Sequence, residues 1–374
     1  MKKMSVFIYS MGGGGAERVI SNLLSFLASG FEIHLILQNS RVDYELPNNV
    51  KIHLLENSAP FENGILKLLK IPLLALKYKK LCENLGIDIH FVFMNRPCYI
   101  AALARIFGLR GAFIFSERST PSLIYKNAGI KGLVNKFLIK KLYVRADFIY
   151  PNSSGALLDL RDNYGISEQK MRVLYNALNL EKIKHLAAHD LGISELENER
   201  FFLSVGRLDE GKNHELLIRA YAGLKNSNLP KLVILGTGVL EKHLKSVISE
   251  LGLENSVYLL GFNKNPYKFM ARCEAFVFLS RFEGFANVLI EAMACGALVI
   301  SSEHKSGAKE LIGDDEYGIL VPVDDLNKSQ KAMQRVLDEP NLREFYKAKA
   351  LKRADDFDMN KIANELISEL KGFL

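Results

Sequence analysis

The stretch that decides the fold is AFVFLSRFEGFANVLIEAMACG, residues 275–296. Ala275 to Leu279 is an apolar run of strand length, and Val288 to Ala294 has the composition of a helix. The two are joined by a short loop carrying Glu283, Gly284, Phe285 and Ala286. A buried strand feeding directly into a helix is half of a βαβ unit, and it predicts a parallel sheet covered by helices. In open sheets of this kind ligands bind outside the carboxyl ends of the strands, where this loop falls. Glu283 stands at the loop mouth, and Glu291 lies about two turns further on, near the entry of the helix. Backbone N–H groups of Gly284, Phe285 and Ala286 would face the same space, a setting suited to an anion. Taken alone, a pair of glutamates eight positions apart is equally a solvated helix surface.

Outward from this stretch the pattern repeats. Strand-like runs are expected at 4–10, 31–38, 50–55, 89–94, 112–116 and 147–150, and again near 201–205, 231–235, 256–260, 275–279, 297–301 and 318–321. Helical segments alternate with them, which predicts an α/β chain with two doubly wound parallel sheets. Residues 182–199 are polar and weakly periodic, so the connection between domains is placed around 178–199. A length of 374 residues suits two domains, each with its own core.

A second chemical cluster lies upstream of the glutamates. The strand Phe201 to Val205 is followed by Gly206-Arg207-Leu208-Asp209-Glu210-Gly211-Lys212-Asn213, just before a helix starting near His214. A guanidinium fork and a lysine point charge beside a helix N-terminus suit a diphosphate.

Together these motifs resemble the family 4 retaining glycosyltransferases of GT-B fold. The resemblance rests on Gly206-Arg207-Leu208 with Lys212-Asn213, on Glu283 and Glu291 followed by Ala292 and Gly296, and on Gly307-Ala308-Lys309-Glu310-Leu311. It covers nearly the whole chain. The glycine-rich Gly12 to Arg18 is similar to that of members building on polyprenyl diphosphates. Residues 5–27, Leu76 to Asn95 and Leu203 to Tyr221 look like the members that add N-acetylgalactosamine to an undecaprenyl-diphosphate-linked glycan during bacterial protein N-glycosylation.

The resemblance implies two Rossmann-like domains facing each other across a cleft. Residues 1–178 would take acceptor and membrane, with a helix at about 360–374 packing back onto them; 179–359 would take the nucleotide sugar. Glu283, Arg207 and Lys212 are the implied catalytic set. Glu291, Gly284, Phe285, Ala286, Gly14 and Gly15 are the implied donor contacts. Of these, Glu291 would hold the ribose hydroxyls and Arg207 with Lys212 the diphosphate. UDP-N-acetylgalactosamine is the implied donor, transferred with retention and forming an α-1,4 linkage. Another sugar added to a lipopolysaccharide core, another step of the same pathway, and a nonenzymatic nucleotide-sugar or lipid-phosphate binding subunit remain open.

The sequence departs from the family at one place. After the strand at 112–116, Arg118 follows Glu117 where the family often carries a histidine thought to assist catalysis. Imidazole chemistry cannot be transferred to it; a phosphate contact and a surface ion pair are both open for Arg118. Asn95 and Arg96 end a strand facing the same cleft, with Asn95 an acceptor candidate. His304 and Lys305 could reach the donor or simply face solvent, and Asn152 with Ser153 could touch ligand or cap a helix.

Other classes are excluded or demoted. No G-x-x-x-x-G-K-[ST] occurs, and a G-x-G-x-x-G register from Gly12 meets Glu17, from Gly13 Arg18. The four cysteines have no metal-ligand spacing and no Asp-x-Asp stands near the expected site, so no cofactor or metal is expected. Residues 1–178 hold 23 Lys and Arg against 13 Asp and Glu, while the remainder holds 26 against 29. A basic first half facing a polyanion suits an anionic membrane; no nucleic-acid motif is present, so nucleic acid is not an expected partner.

The basic run from Ile65 to Lys80 reads as a helix kinked at Pro72, with Lys67, Lys70 and Lys77 on one side among leucines. It suits an interfacial helix or a core helix with snorkelling lysines. A second basic helix would carry Lys131, Lys136, Lys140, Lys141 and Arg145. No run of 18 apolar residues exists, so the expected location is peripheral, on the cytoplasmic side of a bacterial inner membrane.

Overall fold

The structure is a computed structural model that describes residues 1–12, 15–57, 64–125, 128–304 and 307–373. It divides into two compact units, residues 1–178 with 359–374 and residues 179–358. The first is a six-stranded parallel sheet, order β3-β2-β1-β4-β5-β6. Its strands are β1 (Lys3–Ile8), β2 (Glu32–Leu37), β3 (Lys51–Leu54), β4 (Ile89–Phe93), β5 (Ala112–Glu117) and β6 (Phe148–Pro151). The second is also six-stranded, order β12-β11-β10-β7-β8-β9. It consists of β7 (Phe201–Val205), β8 (Lys231–Leu235), β9 (Val257–Leu259), β10 (Phe276–Phe278), β11 (Val299–Ser302) and β12 (Ile319–Val321). Each expected strand is present.

The reason is the unbroken apolar character of the runs. A parallel strand is covered on both faces, so it lacks the alternation of a half-exposed one. Residues 4–8 of β1 and all five of β4 are buried. The helix Gly15–Gly30 turns Val19, Ile20, Leu23, Leu24 and Leu27 inward, the spacing of one helical face. Gly86 and Gly165 end helices in the left-handed conformation, which costs glycine no Cβ clash.

Three details differ from the sequence reading or refine it. The polar stretch taken as a connection opens with a helix, Leu180–Ala187, capped by Asn179 Oδ1 on the Lys182 N–H. The helix Met359–Lys371 belongs to the first unit: Tyr150 Oη donates to Glu369, and Phe148 and Phe373 pack at 5.6 Å. The basic run is two helices, Gly64–Leu69 and Ile71–Leu85, meeting at Lys70. Pro72 occupies the first turn of the second, where its missing N–H is not needed. It starts a helix rather than kinking one.

The switch in strand order falls between β1 and β4 in the first sheet and between β10 and β7 in the second. The carboxyl ends of these pairs are where each sheet opens a crevice for a ligand. Both sequence clusters follow the second pair.

Candidate active site

In the second unit the loops after β7 and β10 are stitched to each other. Ser280 Oγ lies 2.9 Å from the Gly211 carbonyl, and the Arg281 N–H donates to the same oxygen at 2.8 Å. Arg281 Nε also reaches Asp324 Oδ1, which accepts from Asn213 Nδ2. Asn213 is left-handed at φ 56°, a conformation asparagine tolerates, and it begins the helix His214–Ala222.

Lys212 and Glu283 form an ion pair through Nζ and Oε1. Both side chains are largely buried, 18% and 13% exposed. Glu283 Oε1 also accepts from Ser280 Oγ at 2.6 Å, and Lys212 Nζ lies 5.1 Å from the centre of the Phe278 ring. The lysine is thus held at the switch point by a carboxylate and an aromatic face. Arg207 is elsewhere: its side chain is 81% exposed and its Nη2 meets Asp209 Oδ2 at 3.3 Å. The expected two-cation cluster therefore has one largely buried member and one exposed member paired with Asp209.

Glu291 is the fifth residue of the helix Asn287–Ala294, one turn in rather than two, and buried. Tyr267 Oη approaches its Oε1 at 3.5 Å. Glu283 belongs to the loop and Glu291 to the helix, so the two stations are distinct. Phe285 and Ala286 are buried, and Gly307 lies against them. Gly307 has φ 91°, and a Cβ there would meet Phe285 Cδ2 at 3.4 Å. His304 is buried after β11. Gly14 and Lys305 lie outside the described residues; Gly15 is the exposed first residue of its helix.

Sequence reading missed several supports. Gly236, after β8, has φ 150°, and a Cβ on it would run into the Gly206 carbonyl. A Cβ on Gly238 would strike the Leu208 backbone, and Leu208 N–H donates to the Thr237 carbonyl at 3.0 Å. The G-T-G triplet could have been noticed as a turn needing close backbone approach. Ser280 and Tyr267 gave no signal, since their roles depend on partners 3 to 69 residues away. His214 packs beneath the loop, its Nε2 3.6 Å from where a Gly206 Cβ would be, and burial pulls its pKa down to about 4.

In the first unit, Asn95 begins the helix Asn95–Ile106 after β4. Arg118 turns inward: its guanidinium donates to Ser116 Oγ, to the Leu174 carbonyl and to Asn176 Oδ1, and burial pulls its pKa down to about 10. Those three acceptors take three of its five N–H donors within the protein, a placement that does not fit a surface ion pair. Ser153 is a helix cap, accepting from the Ala156 N–H, while Asn152 Nδ2 donates to the Arg118 carbonyl. Lys67 folds back with Nζ 5.5 Å from the Tyr9 ring centre; Lys70 is half-buried and Lys77 exposed. The stripe beside them is apolar: Leu66, Leu69, Leu73 and Leu76 are 51–71% exposed. On the helix Gly129–Leu142, Ile130, Leu133 and Phe137 are similarly bare among exposed Lys131, Lys136, Lys140 and Lys141.

Among the described residues no cluster of His, Cys, Asp and Glu is arranged to hold a metal ion. Burial pushes the thiols of Cys82 and Cys273 up to about 12, which makes them poor nucleophiles and ligands. No helix of the described residues is long and apolar enough to cross a membrane.

Residues 13–182 match the family described as Glycosyltransferase Family 4, and residues 191–353 the family described as Glycosyl transferases group 1. Over 372 residues, and the whole length of both chains, the sequence is 54% identical to the N-acetylgalactosamine-N,N'-diacetylbacillosaminyl-diphospho-undecaprenol 4-alpha-N-acetylgalactosaminyltransferase of Campylobacter jejuni. It is 29% identical, over 99% of each chain, to a second enzyme of that organism, the GalNAc-alpha-(1->4)-GalNAc-alpha-(1->3)-diNAcBac-PP-undecaprenol alpha-1,4-N-acetyl-D-galactosaminyltransferase. Among solved structures, Anabaena HepE in complex with UDP superposes with a TM-score of 0.82 at 19% identity, covering all of both chains. The sucrose-phosphate synthase of Thermosynechococcus elongatus gives 0.83 at 19% identity, covering 100% of this chain and 99% of that one. These last two likenesses concern the fold.

Proposed function

Because the chain belongs to the family 4 glycosyltransferases, we propose that it moves N-acetylgalactosamine from UDP-N-acetylgalactosamine to an undecaprenyl-diphosphate-linked N-acetylgalactosaminyl-diNAc-bacillosamine. It is a hexosyltransferase that retains the anomeric configuration and forms an α-1,4 linkage in protein N-glycan assembly. The observation that carries the substrate is the 54% identity, without truncation of either chain, to the Campylobacter jejuni enzyme of that name.

The chemistry follows from the second unit. Glu291, one turn into its helix, takes the ribose hydroxyls, and Lys212 and Arg207 take the diphosphate. Lys212 is paired with Glu283. An arriving diphosphate replaces that carboxylate as the lysine's partner, and Glu283 is left to accept from hydroxyls of the transferring sugar. Exposed Arg207 closes from the other side. As the bond from sugar to phosphate breaks, negative charge grows on UDP, and fixed cations stabilise it most when it is greatest. This clamp takes the place of a divalent ion, so the reaction runs without a cofactor.

The first unit takes the lipid-linked acceptor. Its bare leucines and lysines suit the headgroup region of the anionic cytoplasmic leaflet, with leucines in the acyl boundary and each lysine contributing about 1 kcal/mol. The protein is placed there peripherally. The proposal is tested by incubating purified protein with UDP-N-acetylgalactosamine and the synthetic lipid diphosphate acceptor. Addition of one N-acetylhexosamine residue, read by mass spectrometry, supports it; transfer only from another UDP-sugar contradicts it.

A further inference from the structure

At the carboxyl ends of β4 and β5 a closed triangle of side chains sits beside the switch in strand order. Its centre is Glu117, 1% exposed. Its carboxylate accepts from the Ser119 N–H at 3.1 Å and Ser119 Oγ at 2.6 Å, from Tyr143 Oη at 2.7 Å and from Asn95 Nδ2 at 2.8 Å. Asn95 Nδ2 also reaches Tyr143 Oη at 2.9 Å.

The directions of these bonds are not free. Burial raises the Glu117 pKa, while the converging Ser119, Tyr143 and Asn95 donors lower it and favour the carboxylate; an ionised carboxylate only accepts, so the Tyr143 proton points to Glu117. The phenol oxygen must then accept from Asn95, and both amide protons of Asn95 are committed to the interior. Turning the amide over would set its oxygen against a carboxylate oxygen at hydrogen-bond distance, which is repulsive. The network therefore leaves Asn95 Oδ1 as the one function of this side chain available to a ligand. Its remaining neighbour is Tyr125 Oη at 3.5 Å, the outer limit of a hydrogen bond.

The backbone aims the same residue. Met94, immediately before it, has φ 70° and ψ 159°, a region that essentially only glycine occupies without strain. Two more strand-end atoms, Thr120 Oγ1 and Asn152 Oδ1, are buried without a partner among the described residues. Buried polar atoms in that state are costly, so this end of the sheet is built for polar company.

We propose that Asn95 Oδ1 accepts a hydrogen bond from a hydroxyl of the acceptor glycan, and that Glu117 is the positioning residue that fixes the amide in that sense. An oxygen so presented selects a donor group and repels a phosphate, so it reads the sugar rather than the diphosphate. The inference rests on the acceptor being a glycan, as proposed above.

The test pairs the parent with Asn95→Ala, assayed on the acceptor and on analogues each lacking one hydroxyl. The parent loses about 10- to 100-fold in kcat/KM on one analogue, and Asn95→Ala loses nothing further on it, with UDP affinity unchanged. Glu117→Gln, whose amide can pair with either end of Asn95, costs about tenfold on the full acceptor and nothing in the Asn95→Ala background. Undiminished discrimination in Asn95→Ala overturns the inference. If Asn95→Ala fails to fold, Asn95→Ser is held to the same criterion. A parent that transfers no sugar to any glycan acceptor overturns the underlying reading instead.

Discussion

Lys212 and Glu283 touch each other, yet with donor bound they carry different tasks. That difference is measurable. Consider Lys212→Gln and Glu283→Gln, singly and together. In the free protein each single change leaves a largely buried charge without its partner. Each should cost about 1–3 kcal/mol of stability, and the double variant should cost little more than one single. In the transition state the lysine faces the diphosphate and the glutamate the sugar. Each loss is then about 2 kcal/mol, roughly 30-fold in kcat/KM, and the double variant falls by about 4 kcal/mol, roughly 1,000-fold. Denaturant unfolding supplies the first cycle and initial rates with saturating acceptor the second. A double variant no slower than its slower parent would refute the reasoning, because the pair would then act only by holding each other.

Further outcomes follow from other parts of the molecule. His90 and His214 are buried and held near pKa 4, below the 6.5 of an open imidazole. Their unfolded forms take up protons first as pH falls. Stability is full above about pH 6.5 and is lost toward pH 4, by about 1.4 kcal/mol per unit for each ring; His214→Asn should remove one such contribution from the slope of urea unfolding free energy against pH. Gly236→Ala should reduce both stability and UDP affinity, by about 1–3 kcal/mol in the first, since its Cβ has only the Gly206 carbonyl to displace; wild-type calorimetric binding would contradict this. Activity should survive excess EDTA, and a strict Mg²⁺ or Mn²⁺ requirement restored on adding the ion back would count against the cation clamp. Leu69→Ser with Leu73→Ser should weaken sedimentation with anionic vesicles by about 100-fold, roughly tenfold for each half-burying leucine; unchanged sedimentation would make the stripe ordinary surface.

What could be read in advance divides along physical lines. Strands were legible because burial on both faces leaves a continuous apolar run, as in Phe201–Val205, and loops because each run stops at polar residues or glycine. Lys212 and Glu283 are legible as two clusters after neighbouring strands of one sheet, but their ion pair joins residues 71 apart and leaves no local pattern. Arg207 was read as a partner of equal standing, but its long side chain has Asp209 two residues away and water around it. Arg118 was misjudged for the opposite reason: its acceptors, Leu174 and Asn176, lie 56 and 58 residues further along the chain. Pro72 reads as a kink in the sequence because the helix start at Ile71 depends on where the preceding turn ends, which periodicity does not register. The triangle of Asn95, Glu117 and Tyr143 spans 48 residues and leaves no local pattern.

The most direct measurement is a crossed assay. A panel of UDP-sugars is offered with the undecaprenyl-diphosphate-linked acceptor, and the product linkage is read by NMR. The expected product carries N-acetylgalactosamine from UDP-N-acetylgalactosamine, with the α configuration of the donor retained in a new 1,4 bond. A β-linked product, or acceptor left unchanged while another UDP-sugar is consumed, would contradict it.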